Sequence, residues 1–185
     1  MYSFKAKELA QRLLAWNLPV RWMHVLGVAE RAKKMVSQLD RTSFELLISA
    51  CYLHDIGYSP VVARTGFHSL DGARYLQGVG VSDRLCGLVA HHSCAMLEAQ
   101  VRGLSDELSV WSDEKTVLRD ALWWADMTTT PNGRVTTIEG RIKEIRRRYG
   151  PKSPVSIFIC QAESELIAAV ERTEARLRAA GVEVR

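Results

Sequence analysis

Apolar residues recur at three- and four-residue intervals along nearly all of this 185-residue chain, and almost nowhere in the alternation of a half-buried strand. That periodicity predicts an all-α fold with short connections. A first helix is expected over about 4–16, ended at Asn17-Leu18-Pro19 because a residue before proline is pushed out of helical geometry. A second follows over about 20–39. Thr42 and Glu45 form a capping box for a third, which runs to His54 and is closed by Gly57. A loop over 58–67 leads into a short helix ending near Gly78, and Ser82 or Asp83 starts another. Later helices are expected from about Glu114, after a cap at Thr136 with Glu139, and over about 155–180. Gly150-Pro151 separates the last two, and a Pro-Asn-Gly turn sits in the loop 127–135. No linker, repeat or low-complexity stretch divides the chain. Residues 1–185 therefore read as one domain, with a core over about 20–130 and the helices of 136–180 packed on it.

An apolar fraction of 47% is that of an ordinary globule. The first twenty residues carry charges among their leucines, and no stretch reaches about 18 uninterrupted apolar residues, so no membrane association and a cytoplasmic location are expected. Cys51, Cys86, Cys94 and Cys160 show no C-x-x-C spacing and no disulfide framework, and are expected to be reduced. The net charge of +4 favours an anionic partner but is too small and too scattered for a dedicated nucleic-acid binder. A phosphorylated small molecule suits it.

Against this background stand five histidines and two aspartates in the order His24, His54-Asp55, His68, His91-His92, Asp126. Each falls at or near the end of a predicted helix, on the side that carries its apolar residues. An ionised carboxylate buried there without a partner would cost several kcal/mol or more, and a cation supplies that partner. Imidazole and carboxylate together suit divalent Fe, Mn, Co, Ni and Zn, and seven ligands are too many for one tetrahedral ion. Two ions side by side would use them all, with Fe or Mn favoured.

This ordered set resembles the HD-domain superfamily of metal-dependent phosphohydrolases, in which a lone His, a His-Asp doublet and a distant Asp share a metal on a helical scaffold. The resemblance runs from about His24 to Asp126. His68 and the His91-His92 pair look like the second-metal ligands of the dinuclear branches, the cyclic-di-GMP phosphodiesterases and the HD-type diadenosine tetraphosphate hydrolases. It implies that His24, His54, Asp55 and Asp126 hold one metal. Asp55, bridging through its second oxygen, would hold the other with His68, His91 and His92. Two such ions about 3.5–4 Å apart share a water, lower its pKa toward neutrality and present the hydroxide to phosphorus. The implied activity is hydrolysis of a phosphoester or phosphoanhydride bond in a nucleotide or similar small substrate. Val20 in place of a metal-binding glutamate, Tyr58 in place of a lysine, and Ser93-Cys94 in place of a Gly-Tyr-Pro signature set the chain apart from the cyclic-di-GMP enzymes.

Arg64, in the loop between the doublet and His68, is a candidate clamp for a substrate phosphate, the plain alternative being a solvent-exposed loop arginine. Thr128, Thr129 and Thr130 either bond a phosphate or terminate a helix. The run Lys143, Arg146, Arg147, Arg148 and Lys152 reads first as the solvent face of a helix. Trp123 and Trp124 read as core. Two other functions fit the same residues. One is a mononuclear enzyme like the HD-type 5′-nucleotidases, and the other is a non-catalytic nucleotide-binding sensor.

Overall fold

A computed structural model describes residues 3–184 of the chain. Helix α1, Ser3–Leu14, buries Ala6, Leu9, Ala10, Leu13 and Leu14, the stripe its spacing predicts. It ends two residues earlier than expected and leaves Trp16 exposed. Helix α2, Pro19–Ala32, opens on its proline, whose missing N–H is unneeded at a first helical position. The single helix expected to residue 39 instead tightens into a 3-10 turn over Lys33–Ser37.

Helix α3, Arg41–Leu53, corrects the expected capping box. Its cap is Asp40, whose carboxylate accepts the N–H groups of Thr42 and Ser43 at 2.9 and 3.0 Å, as strong an arrangement as a threonine cap. Glu45 reaches away to accept the N–H of Ser3 in α1. The chain then passes a 3-10 turn at Ile56–Tyr58 into α4, His68–Gly78, and α5, Asp83–Ala90. Two short helices that the spacing did not predict follow, α6 at Ala95–Arg102 and α7 at Ser105–Leu108. Helix α8, Val117–Met127, starts at Thr116, later than the expected Glu114. Thr137, one residue beyond the predicted cap, opens α9 at Ile138–Tyr149, and Ser153 caps α10, Pro154–Ala179. Among the described residues the fold is all-α. Strand-like pairing is limited to one isolated bridge, Thr129 with Val135.

Helices α3 and α8 lie at the centre. The first packs on α1, α2 and α8, and the second on α2, α3 and α10. Leu47 and Leu53 of α3 and Leu122 and Trp124 of α8 are fully buried. The ends of these two helices carry His54-Asp55 and Asp126, so core packing brings the doublet to the distant aspartate. Two backbone contacts refine the placement. A Cβ at Gly57 would fall 1.9 Å from the carbonyl oxygen of His68, so only glycine lets the 56–58 turn approach the start of α4. A Cβ at Gly27 would lie 2.5 Å from the carbonyl oxygen of Gly133, and Gly133 itself has φ +79°. This glycine pair seats the 130–134 turn on α2, below His24.

Candidate metal centre

The described residues contain two groups able to hold a metal ion: His24, His54 and Asp126, and beside them Asp55, His68 and His92. Within each group the ligand atoms lie within 4.8 Å of one another. Three of the imidazoles are set by the same device. The Nδ1 of His24 lies 3.0 Å from the Thr130 carbonyl, that of His54 2.8 Å from Cys51, and that of His92 2.6 Å from Val89. A carbonyl oxygen can only accept, so each Nδ1 carries the hydrogen and each Nε2 is turned inward.

The inward atoms converge. His24 Nε2 is 3.0 Å from Asp126 Oδ1, and His92 Nε2 is 3.0 Å from His68 Nε2. Asp55 divides its oxygens between the groups. Its Oδ2 stands 3.5 Å from His54 Nε2 and 3.8 Å from His24 Nε2, and its Oδ1 3.5 Å from His68 Nε2. The Nε2 of His54 is buried with no hydrogen-bond partner, a state that costs about 1–3 kcal/mol unless something fills it. A divalent cation is the partner this donor set fits.

Electrostatics are consistent with that reading. Burial pushes the Asp55 carboxyl up, but Arg21, His54 and His68 outweigh it and hold it well below the usual carboxylate range. Asp126 behaves likewise, burial being outweighed by the His24 hydrogen bond and the nearby His54 and Arg141. Burial and the neighbouring His92 lower His68, with Asp55 opposing, and burial and His54 lower His92. His54 moves up, because Asp55 and Asp126 overcome its burial. Stability from the two aspartates is present in full above their unfolded value of about 3.9 and is lost as pH falls toward the folded one. Stability from neutral His68 and His92 is lost from about pH 6.5 downward, while that from His54 is lost as pH rises through its folded value. Four groups thus oppose one. The chelated protein is expected to unfold at lower urea at pH 3.5 than at pH 7.5, with less difference in Asp126→Asn. Equal midpoints in the wild type would contradict the depressed carboxyls.

Not every predicted residue reaches the centre. His91 is turned away, its Nε2 donating to the Trp111 carbonyl at 2.7 Å, although the neighbouring His92 faces in. Adjacent residues at a helix end point about 100° apart, and a kink follows in which Ser93 and Cys94 adopt left-handed backbone, φ 49° and 61°. The kink also lets Ser93 Oγ donate to Asp126 Oδ2 at 2.6 Å. Arg64 is exposed, its guanidinium donating to the Ala63 and Val61 carbonyls. What holds that loop is Asp71, which accepts the backbone N–H groups of Arg64 and Thr65. The hydroxyls of Thr128 and Thr129 donate to the α8 carbonyls of Trp124 and Ala125, so they end the helix, and only the backbone of Thr130 touches the site. Trp123 and Trp124 are core.

The cation beside the centre is Arg21, which the sequence did not single out. Its Nη1 lies 2.8 Å from Asp55 Oδ2 and its guanidinium covers the Tyr58 ring at 3.9 Å. Tyr58 in turn stacks on His68 at 4.1 Å. A cleft of about 550 Å³ opens above the second group, lined by Arg21, Tyr58, Glu98, Arg141, Arg148 and Tyr149 among others. A signal for these existed. Arg21 sits three residues before His24, and Arg141, Arg148 and Tyr149 fall on the face of α9 marked by Ile138, Ile142 and Ile145. Of the basic run, Arg146 is tied to Glu163 at 2.6 Å, as on a solvent face, whereas Arg148 lines the cleft.

A helical fold that converges histidines and aspartates on two adjacent groups defines a candidate metal-binding protein, and one comparison supplies the family. The model of the HD domain matches residues 21–158, and the chain belongs to the HD-domain family, a superfamily of metal-dependent phosphohydrolases. Neither the curated proteins nor the solved structures yield a match. No helix among the described residues is long and apolar enough to cross a membrane.

Proposed function

We propose that this chain is a cytoplasmic, dinuclear metal-dependent phosphohydrolase acting on a nucleotide or similar small phosphorylated substrate, with the whole of 1–185 serving as one domain. The observation that supports it is Asp55, whose two oxygens address two groups of inward-facing ligands. In this reading His24, His54 and Asp126 would hold one ion, His68 and His92 would hold the other, and Asp55 would serve both. Fe or Mn is favoured, and Co, Ni or Zn suits the same donors. Bound there, the ions supply Lewis acidity toward a phosphoryl oxygen and activation of water.

The chain's own residues do the rest. Carbonyls of Thr130, Cys51 and Val89 orient the three imidazoles, and Ser93 orients Asp126. Arg21, rather than Arg64, is placed to meet a phosphate, since it lines the cleft beside Asp55 and has further guanidinium donors beyond the one that pairs with that carboxylate. Arg141 and Arg148, which share Glu144 between them, line the same cleft beside the Tyr149 ring that Arg148 overlies at 4.8 Å. Phosphorus chemistry fits this wall better than neutral-substrate hydrolysis does.

The test is elemental analysis of the purified chain followed by assay with Fe, Mn or Co against mono-, di- and cyclic nucleotides. Close to two ions per chain and metal-dependent phosphate or phosphomonoester release are expected. One ion per chain with activity would favour the mononuclear enzyme. Nucleotide binding without turnover across the panel would favour the sensor.

A further inference from the structure

A second hollow, of about 560 Å³, adjoins the metal centre, lined by Asn17, Leu18, Pro19, Val20 and Pro131 together with His24. Arg21 and Arg148 line both this hollow and the cleft over Asp55, His68 and His92, so the two concavities meet at the pair of guanidiniums. A phosphate held at that junction has room on two sides. A phosphomonoester would use only one of them, and its free oxygens would prefer solvent or cations to the Leu18, Pro19, Val20 and Pro131 surface.

The lining away from the guanidiniums is largely apolar, Leu18, Pro19, Val20 and Pro131, and Val20 within it is 58% exposed. An apolar wall open to water beside a polar centre is a place where an apolar or planar ligand group can be covered.

We propose that the substrate is a phosphodiester, one ester group lying in the cleft and a planar or apolar second group in the Leu18–Val20–Pro131 hollow. This rests on the phosphohydrolase reading above. Water adds to phosphorus and one P–O ester bond breaks. The departing oxygen leaves as an alcohol carrying one of water's protons, the phosphomonoester keeps the new oxygen, and the other proton passes to solvent. Val20 and Pro131 then determine specificity through the group they cover.

Metal-loaded full-length protein is to be assayed with bis(4-nitrophenyl) phosphate and 4-nitrophenyl phosphate, which share a leaving group. The expected result is a kcat/KM at least tenfold higher for the diester, with that preference falling at least fivefold in the double variant Val20→Ser, Pro131→Ser. Preference for the monoester, or an unchanged ratio in the variant, would overturn the proposal. Calorimetry with diphenyl phosphate and phenyl phosphate reads the hollow without turnover. Tighter diester binding that weakens in the variant supports the proposal even where neither ester is hydrolysed, an outcome that sinks the hydrolase reading alone. Equal binding of the two compounds would overturn it.

Discussion

Asp55→Asn is expected to empty both metal groups and to lower phosphohydrolase activity by more than the roughly 100-fold that removing a residue behind a ligand costs. The substitution keeps the shape of the side chain and an oxygen for Arg21, so the fold should persist. What disappears is the charge. Asp55 is buried among His24, His54, His68 and Arg21, and among the described residues it alone presents an oxygen to each group. An amide binds divalent ions far more weakly than a carboxylate, and Asp126, the other acid of the centre, belongs to the first group and not to the second. Circular dichroism confirms folding, and elemental analysis with the nucleotide panel reads the effect. Wild-type metal content with Asn at this position would show that the carboxylate does not bridge.

The second large effect separates two adjacent histidines that the sequence alone cannot tell apart. His92→Ala is expected to remove about half of the bound metal and most of the activity, because its Nε2 faces His68 across 3.0 Å and its loss leaves that group with Asp55 and His68. His91→Ala is expected to keep the metal. Its cost is stability instead, on the order of 1–3 kcal/mol, since the buried Trp111 carbonyl loses the donor that the His91 ring supplies. Urea unfolding and metal analysis on both variants check this pair of outcomes. Metal loss in His91→Ala equal to that in His92→Ala would show that the ring turns into the site when an ion is present.

That contrast shows where sequence reasoning stops. Histidines placed side by side at a helix end carry identical local signals, and a regular helix directs them about 100° apart. Which one faces the metals depends on what surrounds the helix end, the Trp111 carbonyl taking the His91 ring and the Val89 carbonyl and His68 the His92 ring, and the left-handed turn that follows at Ser93 and Cys94 is likewise announced by nothing in the local sequence. The Asp40 cap of α3 is a simpler case, two competent capping residues lying within three positions of each other. Arg64 and Arg21 mark the opposite error. Closeness in the chain suggested Arg64, but Asp71 holds its loop by the backbone and leaves the guanidinium in solvent, while Arg21 arrives from another helix.

What the sequence determined by itself was the class of fold and the chemistry of the donor set. Helical apolar spacing is a local property, repeated at every turn, and histidines and aspartates on apolar faces declare that polar groups will be buried and must find partners. Tertiary structure alone decided which donors meet. The ends of α3 and α8 are brought together by core packing, and glycines at 27 and 133 bring in the carbonyl that aims His24. The cleft draws its guanidiniums from α2 and α9, more than a hundred residues apart. Those arrangements depend on distances between segments far apart in the chain, and no periodicity within any one segment encodes them.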